Sequence, residues 1–266
     1  MEYSKLFLEE TSLYNQIVLP KQLFSLLPHF LCSWLRTTLC AFVLYPLVAF
    51  LCLNFWKRYA SDASKETMPS RRVMISQAKG ALASIPISTL FSTVFEWMAE
   101  NGWTKCYPHI SVMGWSSYVF YTLIYLILVE FGIYWAHRLM HEIKPIYKYI
   151  HAPHHHYSKE IMLSPFAGWS GHPFDGALQE IPYGIVLLFV PLHFTTFLAL
   201  FLFEAVWGIM IHDRSDAKVW PILGSDYHTI HHTSGHHNYG NYTILMDWLF
   251  GTLRHPKTTT NEKKVQ

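Results

Sequence analysis

The chain is poor in charge and in cysteine. Lys, Arg, Asp and Glu make up 14% of its 266 residues, and the formal net charge is only +2. That charge does not indicate a nucleic-acid partner, and no basic run is interleaved with aromatic residues. The four cysteines all precede the histidine-rich part of the chain and lack both zinc-ligand and disulfide-framework spacing. A zinc ribbon is therefore excluded, a disulfide-stapled secreted fold is not expected, and we predict no nucleic-acid partner.

Three signature motifs are also absent. The chain has no G-x-G-x-x-G fingerprint, so we do not expect it to bind a dinucleotide itself. It has no H-E-x-x-H zinc protease signature. No glutamate is followed three residues later by histidine, which is the spacing that ferritin-like di-iron bundles require. Any metal centre must therefore use a different ligand set.

Apolar residues are abundant, at 51% of the chain, and they form long runs. Residues 35–55 and 115–136 are each long enough to cross about 30 Å of hydrocarbon at about 1.5 Å per residue. Residues 80–98 form a more polar third span. The run 181–211 is too long for one upright helix and too short for two full spans, and Pro191 breaks it. We predict an all-α integral membrane protein with about three spans plus a re-entrant or short helical hairpin that enters and leaves on one side.

Basic residues orient this arrangement. Segment 57–79 carries six lysines and arginines, whereas 99–114 carries only Lys105. Lysine and arginine concentrate on the cytosolic side of membrane proteins, so we expect 57–79 in the cytosol and the N-terminus in the lumen. The histidine-rich helical domain would then also be cytosolic. We predict one membrane-embedded domain over 1–266, made of an N-terminal membrane region (1–114), a catalytic histidine region (115–256) and a flexible cytosolic tail (257–266).

Histidines are concentrated in the second half, where 15 of the 17 follow residue 136. Spacings of three or four residues place imidazole nitrogens on one side of a helix, and neutral imidazole binds iron, zinc and copper. The set is too large for one tetrahedral zinc and suits two metals that share a site. A membrane metal carrier is a weaker alternative, because it would place ligand residues inside several spans. The bursts are His137 and His141; His151, His154, His155 and His156; and His228, His231, His232, His236 and His237.

One carboxylate lies on the same predicted helix as the first histidine pair. Glu130, Tyr134, His137 and His141 are spaced four, three and four residues apart, so they share one stripe of that helix. Glu130 is therefore a candidate to orient a ligand imidazole. The alternative is a carboxylate that is satisfied by a neighbouring helix.

Three histidine boxes resemble those of a known family. They are HRLMH (137–141), HAPHH (151–155) and HTIHH (228–232), with an apolar run between the second and the third. The boxes resemble those of the fatty acid hydroxylase and sterol desaturase superfamily, whose members are non-haem di-iron enzymes. Within it, LSPFAGWSGHPFDG and the sequence around the boxes resemble the plant delta-7-sterol C-5(6)-desaturases, also called lathosterol oxidases. The resemblance covers residues 100–256.

The resemblance implies two non-haem iron ions as the cofactor. His212 matches a further ligand position after the apolar run. His172, in GHPFDG, matches a recurring histidine that is either a ligand or a support. The residues implied as iron ligands are His137, His141, His151, His154, His155, His212, His228, His231 and His232.

The resemblance also implies a function. The expected reaction introduces the C5=C6 double bond into delta-7 sterols of the episterol or lathosterol type, with dioxygen as oxidant and electrons from cytochrome b5 and its NAD(P)H-dependent reductase. The expected location is the endoplasmic reticulum membrane, and Lys263 and Lys264 resemble a dilysine retrieval signal. Arg214 to Ala217 depart from the plant pattern, so a weakly active paralogue is an alternative. A C-4 sterol methyl oxidase or a lipid hydroxylase would use the same boxes.

Overall fold

The computed structural model describes residues 3–59, 68–157, 163–213 and 221–256. The departures from Arg214 to Ala217 and the predicted tail with its dilysine lie outside these ranges. The α-helices are α1 Ser4–Val18, α2 Lys21–Leu26, α3 His29–Tyr59, α4 Arg71–Glu100, α5 Trp115–Glu142, α6 Lys144–Ile146, α7 Pro173–Leu187, α8 Phe194–Met210, α9 Ser225–Ser234 and α10 Leu245–Leu249. A π-helical turn covers Tyr147–His151, and 3-10 turns cover Ile110–Val112, His154–Tyr157 and Pro165–Ala167.

The three longest helices contain the predicted spans. α3, α4 and α5 have 31, 30 and 28 residues, and each is long and apolar enough to cross a membrane. The prediction of three spans is confirmed. On α3, Tyr45 and Ala49 are buried, whereas Val43 and Phe50 are exposed. A continuous exposed apolar surface of this kind marks a membrane-facing side.

The predicted hairpin is present as α7 and α8, which have 15 and 17 residues. It begins at Pro173 rather than at 181, because Pro173 occupies the first helical position and the His172 ring caps the helix. Between the two helices, β2 (Leu192–His193) pairs in parallel with β1 (Cys106–Tyr107), in the loop that joins α4 to α5. Both ends of the hairpin therefore lie beside the histidines, and its tip reaches the opposite end of the long helices.

Two glycines let the hairpin pack closely against the long helices. A Cβ at Gly184 of α7 would lie 2.1 Å from the Phe95 ring of α4. A Cβ at Gly132 of α5 would lie 2.6 Å from the side chain of Pro182 in α7. A close-packed interior has no room for a larger residue at such separations. The surrounding core contains Phe7, Phe95, Tyr125, Val129, Ile133, Tyr183, Leu187, Phe194 and Phe197.

The end of the bundle away from the histidines contains a buried polar cluster, which we call the far-end network. Arg36 of α3 donates a hydrogen bond to Glu96 of α4 at 2.5 Å, and these side chains are only 10% and 5% exposed. Thr11 of α1 donates to Glu100 at 2.5 Å, and a ring nitrogen of His29 lies 3.0 Å from the same carboxylate oxygen. These contacts attach α1 to the ends of α3 and α4.

Candidate metal centre

Nine histidines meet at one end of the bundle. They come from the C-terminal end of α5, the π-helical and 3-10 turns that follow it, the segment just after α8, and α9. Spacings of three and four residues turn the α5 and α9 histidines to one side of each helix. The structure divides the nine into two groups, in each of which the ligand atoms lie within 4.8 Å of one another. We call them the five-histidine group (His137, His141, His151, His155 and His231) and the four-histidine group (His154, His212, His228 and His232).

Four Nε2 atoms of the five-histidine group form a closed ring. Nε2 of His141 lies 2.8 Å from Nε2 of His151 and 3.2 Å from Nε2 of His231. Nε2 of His155 lies 3.0 Å from each of these same two atoms. The fifth atom, Nε2 of His137, is buried and has no hydrogen-bond partner within the part of the chain that the structure describes.

The four-histidine group is equally compact. Nε2 of His212 lies 2.9 Å from Nε2 of His228 and 3.2 Å from Nε2 of His232. The Nε2 atoms of His228 and His232 are 3.0 Å apart. The ring of His154 completes the group, with its centroid 4.8 Å from that of His232. His232 also stacks on His155 at a centroid distance of 4.5 Å, so the two groups are adjacent.

Backbone carbonyls behind four of the rings determine which nitrogen faces the centre. A carbonyl oxygen only accepts hydrogen bonds, so the Nδ1 atom that contacts it carries the hydrogen. The Nε2 atom of the same ring then presents its lone pair to the group. The contacts are His137 with the carbonyl of Tyr239 at 3.0 Å, His231 with that of His237 at 2.9 Å, His154 with that of Ser170 at 3.0 Å and His212 with that of Gly208 at 2.7 Å.

This arrangement fits metal cations. Nitrogen lone pairs that converge at 2.8 to 3.2 Å repel one another unless a proton or a cation lies among them. The unpartnered Nε2 of His137 is a buried donor atom that a cation would satisfy. An all-imidazole set suits iron, zinc, copper or nickel, and nine nitrogens divided into two groups suit two ions.

Burial keeps these imidazoles in the form that binds metal. Burial lowers the pKa of His155 and His228 well below its usual range, and neighbouring imidazoles lower it further. The same causes lower the pKa of His212 to about 3. These side chains are therefore neutral at physiological pH, as metal ligation requires.

His172 and Glu130 lie in neither group. His172 caps α7, since its Nδ1 accepts a hydrogen bond from a backbone N–H of the first turn at 3.2 Å. Glu130 accepts hydrogen bonds from the N–H groups of Tyr242 and Thr243 at 3.1 and 2.9 Å. The hydrogen-bond partners of Glu130 in the described segments are Tyr242 and Thr243, and no imidazole is among them. It holds the loop after α9, in which the Tyr239 carbonyl contacts His137.

Two aspartates that the sequence analysis did not identify also support the ligands. Oδ1 of Asp175, in the first turn of α7, lies 2.5 Å from Nδ1 of His151. Asp247 of α10 accepts from the N–H groups of Tyr239 and Gly240 at 2.8 Å each. The motif GHPFDG contained a signal for Asp175, because it places an aspartate three residues after a histidine. Asp247 follows the last box in an apolar stretch that offers no such signal.

An apolar groove of about 530 Å³ lies between α5 and α7. Gly132, Ala136 and Met140 line it from α5, and Leu178 and Ile185 line it from α7. No charged or polar side chain is among its lining residues. A groove of this size and composition suits an apolar ligand.

Known proteins are similar to this chain over the region that contains the nine histidines. A model of the fatty acid hydroxylase family matches residues 122–252, which include all nine histidines. The Delta(7)-sterol-C5(6)-desaturase of Nicotiana tabacum is 48% identical over 261 residues, which cover 96% of each chain.

More distant relatives have related names. The Delta(7)-sterol 5(6)-desaturase of Saccharomyces cerevisiae is 33% identical over 91% of this chain and 66% of its own length. The lathosterol oxidase of Rattus norvegicus is 34% identical over 84% of this chain and 74% of its own length. No solved structure gives a significant match.

Proposed function

The chain belongs to the fatty acid hydroxylase family, and from this premise we propose that it is a delta-7-sterol C-5(6)-desaturase of sterol biosynthesis. The observation that carries the proposal is the near full-length similarity to a plant desaturase of that name. The yeast relative is named for the same desaturation of delta-7 sterols, and the rat relative is named as an oxidase of lathosterol. The substrate class is therefore a sterol with a C7=C8 double bond, and the product gains a C5=C6 double bond.

We infer that the nine histidines hold two non-haem iron ions, one ion in each group. Bound iron would supply the oxidising power, drawn from dioxygen, that removal of hydrogen from an unactivated carbon pair requires. The chain contributes neutral imidazoles whose outer nitrogens are held by carbonyls and by Asp175, so the inner nitrogens are oriented before metal arrives. Eight of the nine histidines are buried and His141 is half-buried, which limits the access of water to the site.

The balance of the reaction requires external electrons. Removing two hydrogens from the sterol and reducing one dioxygen to two waters takes two electrons and two protons from outside the substrate. The chain has no dinucleotide fingerprint. We propose cytochrome b5, reduced by its NAD(P)H-dependent reductase, as the electron donor.

The helices indicate a membrane protein, and we propose the endoplasmic reticulum as its location. Lysine and arginine concentrate in 57–79 and are nearly missing from 99–114, which favours a cytosolic histidine end and a lumenal N-terminus. The sterol would reach the site from the bilayer, where the groove between α5 and α7 offers it an apolar surface.

Sterol profiling tests this function. The chain is expressed in yeast that lacks its own C-5 sterol desaturase, and sterols are separated by gas chromatography and identified by mass spectrometry. His154→Ala removes a buried member of the four-histidine group. His156→Ala is the matched control, because His156 is exposed, adjacent in sequence and in neither group.

The expected result is delta-5,7 sterols with the parent chain and with His156→Ala, and none with His154→Ala at equal protein level. Accumulation of C-4-oxidised or hydroxylated products instead would assign the chain to a related oxidation. An unchanged profile with the parent protein present in the membrane would overturn the desaturase proposal.

A further inference from the structure

The two histidine groups differ in what lies behind their rings. In the four-histidine group, Nδ1 of His154 and of His212 contact backbone carbonyls. Nδ1 of His228 and of His232 are buried without a hydrogen-bond partner in the described ranges. Among the residues that the structure describes, no carboxylate is therefore hydrogen-bonded to an outer nitrogen of this group. In the five-histidine group, Asp175 contacts His151.

The Asp175 contact is short and enclosed. Its Oδ1 lies 2.5 Å from Nδ1 of His151, and the residues are 6% and 0% exposed. Asp175 is held in place because α7 starts at Pro173 with His172 as its cap. The hairpin helix therefore brings a negative charge directly behind one ligand ring.

A carboxylate and a carbonyl affect a ligand imidazole differently. Both accept the Nδ1 hydrogen and fix the ring orientation, but only the carboxylate carries a full charge. The charged acceptor draws the hydrogen away from the ring and makes the opposite nitrogen a stronger electron donor to a cation. Nε2 of His151 lies 2.8 Å from Nε2 of His141, so the effect is exerted at the centre of the five-histidine group.

We propose that Asp175 is a positioning residue that makes the two metal sites unequal, so that the five-histidine group binds its ion more tightly and fills first. This inference rests on the proposed dimetal centre but not on the identity of the sterol. The metal-binding measurement can therefore contradict this inference while the sterol assay supports the proposed function, and the opposite outcome is also possible.

Metal titration tests whether the two sites differ in affinity. Full-length protein in detergent is stripped with a chelator and titrated with Co²⁺, and binding is followed by calorimetry and by visible absorption of the bound ion. The parent is expected to bind two ions with different affinities. Asp175→Asn keeps an oxygen that accepts the His151 hydrogen but removes the charge, and it should weaken the tighter site by about 10-fold to 100-fold. Glu180→Gln, on the same helix, is the control and should leave both affinities unchanged.

Two further variants, each with one metal site disabled, show which site Asp175 affects. His228→Ala disables the four-histidine group, and in this background Asp175→Asn should weaken the remaining site. His137→Ala disables the five-histidine group, and there the same change should have a much smaller effect, because Asp175 is hydrogen-bonded to no ring of the four-histidine group in the described ranges. Asp175→Glu restores the charge and should recover part of the lost affinity and of the Co²⁺ spectrum.

Either of two results overturns the proposal. One is an unchanged pair of affinities in Asp175→Asn, which would mean that Asp175 only fixes the ring. The other is an equal loss in both backgrounds, which would mean a general effect on folding. Melting curves of each variant before titration verify that the compared proteins are folded.

Discussion

The two ends of the helical bundle both bury polar groups, but they satisfy them in opposite ways. In the far-end network, Arg36 donates to Glu96, so a donor meets an acceptor and the charges offset each other. At the histidine end, acceptor nitrogens such as Nε2 of His151 and His231 converge in one group, because the Nδ1 atom of each ring carries the hydrogen. A polar cluster with internal partners therefore stabilises the fold by itself, whereas a cluster of converging, unmatched acceptors requires a ligand.

Acidification should affect the two ends most differently, because the histidine end depends on imidazoles that stay neutral whereas the far-end network depends on a charged pair. Burial lowers the pKa of His212 from 6.5 to about 3 in the folded protein. Such a histidine costs the folded state no stability above pH 6.5. The free energy of unfolding falls as the pH drops from 6.5 toward 3, because the unfolded chain binds a proton that the folded chain does not. At pH 5 this loss is about 2 kcal/mol for one such histidine, and several share the site.

We therefore expect the melting temperature of metal-depleted protein to fall steeply between pH 7.5 and pH 5. Measurement by intrinsic tryptophan fluorescence in detergent checks this. The double variant Arg36→Met with Glu96→Leu, which removes both charges of the far-end pair, serves as the comparison and should show the same pH slope. A melting temperature that stays constant over this range would contradict the burial of neutral imidazoles.

Arg36→Met tests the far end by removing one partner of its ion pair. The variant leaves the Glu96 carboxylate buried and unpaired, which typically costs about 3 to 5 kcal/mol. Metal content per folded protein should stay at the parent value, because Arg36 lies at the opposite end from the histidines. Thermal melting and metal analysis of the folded fraction measure the two effects separately.

The double change Arg36→Met with Glu96→Leu sharpens this test. Replacing both partners removes the unpaired charge, so most of the lost stability should return. Loss of metal from folded Arg36→Met protein would show that the two ends of the bundle are coupled.

Of the three perturbations, acidification, Arg36→Met and Glu130→Gln, the last should have the smallest effect. The amide oxygen still accepts one backbone hydrogen bond, but the charge and the second acceptor are lost, at a cost of about 1 kcal/mol. The loop with Tyr239 and Thr243 should loosen, and Co²⁺ affinity should fall a few-fold in the group that contains His137. The same titration measures this, and an undiminished affinity would limit Glu130 to a role in folding.

Local patterns explain which features could be predicted from the sequence. The three spans follow from hydropathy within one segment, and the histidines follow from spacings of three or four within one helix. The far-end network could not be found this way, because Arg36 and Glu96 are 60 residues apart and Arg36 merely interrupts an apolar run. Asp175 and His151, 24 residues apart, meet only after α7 has folded back.

The N-terminal helix and the depth of the hairpin also depend on tertiary contacts. α1 has no strong apolar run, but Phe7 is buried and stacks on Phe194 at 4.5 Å. The reach of the hairpin is shown by the pairing of β1 with β2 and by the contact of the His193 ring with the Pro108 carbonyl. A two-residue strand has no sequence pattern of its own, so its partner cannot be recognised in advance.

The π-helical turn before the second box restricts how the length of this segment can vary. The Ala152 N–H donates to the Tyr147 carbonyl at 2.7 Å, one residue further back than in an α-helix. One residue corresponds to a rotation of about 100°, so a deletion in this turn would point His151 away from His141. Insertions and deletions should therefore be rare here in related chains, whereas substitutions at the exposed Lys148 and Tyr149 should be common.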